Sequence, residues 1–70
     1  MLSDVDLAVL DFEARAPRSL GAKEEAIQRE FGISAVRYYQ RLNVLIDSPE
    51  ALEARPQLVR RLQRLRDVRL

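Results

Sequence analysis

Seventy residues carrying 12 Lys and Arg against 11 Asp and Glu, for a net charge of +1, amount to one small domain of modest charge. The chain has neither Cys nor His, which excludes zinc fingers, cysteine nucleophiles, His-dependent triads, iron–sulfur ligation and disulfide support. A core of this size seldom leaves more than about 3–5 kcal/mol of net stability, so self-association or docking onto a larger partner is expected.

The elements follow in chain order. Ser3 is placed to cap a first helix, with Asp4 and Asp6 in its opening turn and Leu2 stapling onto Leu7. This helix is expected over residues 3–15, with Leu7, Leu10 and Ala14 on one face and Val5, Val9 and Phe12 beside it. Pro17 stops it. After the connection Pro17-Arg18-Ser19-Leu20-Gly21, a second helix is expected over 22–31, turning Ala26, Ile27 and Phe31 inward. Gly32 then takes the left-handed position that ends a helix at low cost.

Ser34 caps a third helix, expected over 34–47. At about 100° per residue, Leu42 centres an apolar stripe with Ala35, Tyr38, Tyr39, Leu45 and Ile46. Val36, Arg37, Gln40, Asn43 and Val44 fall on the opposite side, and Arg41 at its margin. Ser48-Pro49-Glu50 opens a short helix over 49–54. Arg55-Pro56 breaks it. A last helix is expected over 57–69, with Leu58, Leu62 and Leu65 toward the core and Arg60, Arg61 and Arg64 away from it. No segment alternates as a strand does. The expected fold is all-α, with four to five short helices around a central helix–turn–helix and no β-wing.

Phe31-Gly32-Ile33-Ser34 joins two amphipathic helices through a turn short enough for the unit that enters the DNA major groove. One slot departs from that unit. Four residues before the turn glycine, where a small side chain commonly lets the helices touch, stands Gln28. Ala26 and Ile27 are the alternatives for the close approach. An ordinary structural hairpin would show the same turn.

Under the DNA-binding reading, Ser34, Val36, Arg37, Gln40 and Asn43 are the base-reading set. Arg can pair with guanine O6 and N7, Gln and Asn with adenine, and Val can touch a thymine methyl. Lys23, Tyr39, Arg41, Arg60, Arg61 and Arg64 are the phosphate set, Lys23 beside the N-terminus of the second helix. The charge distribution supports this division. Residues 1–36 hold four basic and seven acidic groups, whereas residues 37–70 hold eight basic and four acidic. The alternatives are solvated faces for Arg37, Gln40, Asn43 and the C-terminal arginines, which include Arg66 and Arg69, and core packing for the rings of Tyr38 and Tyr39. The acids of the first helix, Asp4, Asp6, Asp11 and Glu13, read as caps or solvent-facing groups. No Gly-rich phosphate loop and no framed carboxylate pair is visible, so neither an enzyme nor a cofactor is expected. No basic leader or long apolar run is visible either, and a cytoplasmic, nucleoid-associated protein without membrane contact is the expectation.

Through Gly21-Ala22-Lys23-Glu24, Phe31-Gly32-Ile33-Ser34, Arg37-Tyr38-Tyr39-Gln40, Leu42-Asn43 and Leu45-Ile46-Asp47, the chain resembles a family of small actinobacterial proteins. That family is classed as a domain of unknown function with helix–turn–helix character. The resemblance implies a cytosolic bacterial protein with a DNA-binding, transcription-related role. Two positions depart from the family pattern: Arg15-Ala16-Pro17-Arg18 replaces an aromatic-bearing connection, and Arg55 replaces an Asp that would cap the last helix.

Double-stranded DNA is therefore the expected partner, bound by a homodimer on paired half-sites. The rival expectation is a helical interaction module that grips the transcription machinery, such as RNA polymerase or another regulator, without touching DNA.

Overall fold

Four serines punctuate the chain, and each opens a helix. In the computed structural model, which describes residues 1–69 apart from the side chain of Arg69, α1 spans Asp4–Arg15, α2 Leu20–Phe31, α3 Ala35–Ile46, α4 Pro49–Ala54 and α5 Pro56–Arg69. No strand occurs among the described residues. The expected role of the Arg69 side chain, and any extension of the last helix to Leu70, lie outside them.

The hydroxyl oxygens of Ser3, Ser19, Ser34 and Ser48 accept the backbone N–H of Asp6, Ala22, Arg37 and Ala51 at 3.1, 3.5, 3.2 and 3.1 Å. Each bond satisfies a donor that the first helical turn leaves open. Asp6 returns the bond to the Ser3 N–H at 3.3 Å, completing a capping box. Ser19 moves the start of α2 two residues upstream of the expected Ala22, because it caps rather than linking. Pro56 becomes the first residue of α5, a position where its missing N–H has no consequence. Gly32 adopts φ 67°, ψ 21° and donates its N–H to the Gln28 carbonyl at 2.9 Å, ending α2 as expected.

The core is built from Val9, Leu10 and Phe12 of α1, Ala26 and Ile27 of α2, Tyr38, Leu42, Leu45 and Ile46 of α3, Ala51 of α4 and Val59 of α5. On α1 the buried face is rotated from the expected one. Val5 and Ala14 are exposed, Leu7 is half-buried, and Glu13 is buried in the apolar row. On α5 the deeply buried residue is Val59. Leu58 and Leu62 pack at the core edge and Leu65 is exposed, so the inward face is centred elsewhere than on the three leucines.

All four aromatic side chains meet where α1, α2 and α3 join. Phe12 stands edge-on to Phe31 and Tyr38 at centroid distances of 5.6 and 5.7 Å, and Tyr38 stands edge-on to Tyr39 at 5.4 Å. Ala26 and Ile27 make the α2 contribution to the core, while Gln28 is exposed. The departure at Gln28 thus places no bulk between α2 and α3.

Candidate nucleic-acid interface

α3 presents two opposed faces. Tyr38, Leu42, Leu45 and Ile46 face the core. Val36, Arg37, Gln40, Asn43 and Val44 face out, with Val36 67% and Val44 76% exposed. At about 1.5 Å per residue this helix is roughly 18 Å long, and its exposed side is continuous from end to end.

The five expected base-reading residues sit together on this helix and its cap. Ser34 spends its hydroxyl on the Arg37 N–H, so its first task is to start α3. Arg37 makes no ion pair among the described residues. Asn43 borders a cleft of about 330 Å³ between α3 and α5, whose lining includes Tyr39, Leu42, Ile46, Leu62 and Leu65.

The expected phosphate set is dispersed. Lys23 turns inward: its Nζ donates to Glu13 Oε1 at 3.0 Å, lies 5.4 Å from the centre of the Tyr39 ring, and leaves the side chain only 18% exposed. Arg41 donates to Asp6 Oδ1 at 3.2 Å. Tyr39 is half-buried against Tyr38 and the core. Arg60, Arg61 and Arg64 are exposed and make no ion pair among the described residues. They border a separate depression with Ala14, Gln57 and Leu58, to which α3 contributes nothing.

The reading of the α1 acids as caps or solvent-facing groups holds for Asp4, Asp6 and Asp11, of which Asp6 caps and the other two are exposed, and fails at Glu13, which is buried. Three of the four also act as counter-charges of basic residues. Asp6 holds Arg41, Asp11 holds Arg55 at 3.3 Å, and Glu13 holds Lys23; Glu30 of α2 holds Arg15 at 2.7 Å, and Asp47 holds Arg66 at 3.0 Å. Two of these pairs, Arg41–Asp6 and Arg55–Asp11, join the basic half of the chain to the acidic half. Arg55, in place of a cap, ties the α4–α5 junction to α1.

Two of these acids, Asp6 and Glu30, are shifted by the groups that hold them. Partial burial opposes ionisation of Asp6, but hydrogen bonds with Ser3 and Arg41 outweigh it and lower its pKa. The Arg15 hydrogen bond lowers the Glu30 pKa. Burial, reinforced by the hydrogen bond to Glu13, pushes the Tyr38 phenol well above the ordinary tyrosine range. Glu13 is the residue that sequence reasoning missed. Its signal was its position, three and four residues after Leu10 and Val9, in the row that α1 buries.

Among the described residues no group of three or more acids could hold a metal ion, and no helix is long and apolar enough to cross a membrane. The family model of a protein of unknown function (DUF3263) matches residues 1–70. The chain belongs to the DUF3263 family. No curated protein and no solved structure matches it. In this DUF3263 chain the outer face of α3 offers the Arg37 guanidinium and the amides of Gln40 and Asn43, framed by two exposed valines.

Proposed function

We propose that this protein binds double-stranded DNA, with α3 lying in the major groove. The observation that carries the reading is the outer face of α3. It is open along its whole length, and its polar groups are those that pair with base edges: Arg37 with guanine, Gln40 and Asn43 with adenine. The short turn at Gly32 supports it by setting α3 against α2 through one left-handed residue. A transcription-related role in the cytoplasm follows from this reading.

The test is a selection of preferred sites from a random DNA pool, followed by titration at low and moderate salt. The expected result is an enriched site whose preference relaxes in Arg37→Ala/Gln40→Ala. Equal enrichment by the wild type and that double variant would overturn the assignment.

A second reading has its own support. Val36 and Val44 leave apolar surface at both ends of the same face, and Lys23 and Arg41 are engaged by acids. That combination suits a protein partner, such as a component of the transcription machinery, better than a polyanion. Failure to bind any duplex at low salt would favour it.

A further inference from the structure

We propose a second docking surface, the outer face of α5, whose occupant is an acidic protein segment carrying an apolar anchor. It lies apart from the exposed side of α3 and does not depend on the DNA reading.

The first observation is one of charge. Arg15, Lys23, Arg41, Arg55 and Arg66 each hold an acid from another helix or its cap. Arg60, Arg61 and Arg64 fall outside this set, as Arg18, Arg29 and Arg37 do, but they alone cluster: three exposed guanidiniums stand within five residues of one helix, with no acid paired to them among the described residues. They form a cationic face on one helix, and carboxylates are the groups that match a guanidinium fork.

The second observation is apolar. The three arginines border a depression of about 600 Å³ that also contains Ala14 of α1 and Leu58 of α5. Farther along the helix, Val68 is 84% exposed. Phosphate backbones are bound by charge and hydrogen bonds, and apolar surface adds nothing to that. Arginine beside exposed aliphatic surface is instead the composition of a protein interface, where an anchor fills a pocket and charges at the rim set orientation. The mixture on α5 therefore selects a protein segment over nucleic acid. Asp or Glu would face Arg60, Arg61 and Arg64, and a Leu, Phe or Trp would enter the Ala14–Leu58 depression.

The experiment is a display selection of random peptides on the full chain, followed by fluorescence anisotropy of the enriched peptides. Enrichment of Asp- and Glu-rich peptides that contain a large apolar residue is expected. Their affinity should fall about tenfold or more in Arg60→Gln/Arg61→Gln/Arg64→Gln and should also fall in Val68→Gln. Arg37→Ala/Gln40→Ala should bind them as the wild type does, which separates this surface from the one on α3. Three results would overturn the proposal: no enrichment; enriched peptides without an apolar anchor; or a random-sequence duplex that displaces the peptides and itself loses affinity in the triple variant, which would make the face a phosphate contact.

Discussion

Glu13 of α1 accepts the Tyr38 hydroxyl of α3 on one carboxylate oxygen and the Lys23 ammonium of α2 on the other. One buried side chain thus joins all three helices around the turn at Gly32, and its own side chain is 3% exposed. Without the two donors the carboxylate would be stranded in the aromatic cluster.

This arrangement sets the cost of breaking it. Tyr38→Phe keeps the ring and removes one donor, and should cost about 1–3 kcal/mol, the penalty for a buried group losing its partner. Lys23→Met removes the one countercharge that Glu13 has among the described residues and should cost at least as much. In a double-mutant cycle the two losses should not add, because both act on the same carboxylate. Urea unfolding of the four proteins measures the coupling.

The two glycines should respond in opposite directions to alanine. Gly32 has φ 67° and no atom within 4 Å of a would-be Cβ, so Gly32→Ala costs backbone strain alone, about 1–2 kcal/mol. Gly21, also in open space, lies inside the first turn of α2 with no such backbone demand. Gly21→Ala should stabilise by about 0.5 kcal/mol. Thermal melts of the two variants decide both signs.

Stability should fall at both ends of the pH scale. The pKa values of Asp6 and Glu30 are lower folded than unfolded, so their contribution is complete above the unfolded carboxylate range, about pH 4, and is lost as pH falls through the folded values. Asp6→Asn/Glu30→Gln should flatten that acid limb. The Tyr38 pKa is higher folded than unfolded, so its contribution is complete below about pH 10 and decays as pH rises further. Tyr38→Phe should flatten the alkaline limb. Denaturant midpoints measured across pH test both.

On α3, Arg37 and Arg41 should separate binding from folding. Arg37→Ala should leave the melting temperature unchanged and reduce discrimination at one base position by about 1–3 kcal/mol. Arg41→Ala breaks the tie to Asp6 and should raise the Asp6 pKa toward its ordinary value. Base preferences and an NMR titration of Asp6 report the two effects.

What was legible in the chain was what its local order decides. Ser3, Ser34, Ser48, Gly32, Pro49 and the stripe of Tyr38, Leu42, Leu45 and Ile46 each act within one or two helical turns, so the number of helices and the exposed side of α3 could be read directly. Apart from the Ser19 cap, which is local, the misses lie between elements. Glu13 looks like a surface acid until Tyr38 and Lys23 arrive from other helices. Lys23 looks like a phosphate ligand until Glu13 takes it. Leu65, expected toward the core, is exposed and Val59 is buried instead, because the rotation of α5 is set by its contact with α3 and α4, and three leucines on one flank outweigh a lone valine in any periodicity.

The C-terminal end of α3 is held from α5. Gln63 Nε2 donates to the Ile46 carbonyl at 2.7 Å, and Arg66 makes two bonds to Asp47. α5 thereby becomes a lever on the last turn of α3. The end of the exposed helix is thus fastened by side chains of α5 and not by its own sequence, so a change at Gln63 or Arg66 reaches that end without touching α3 itself.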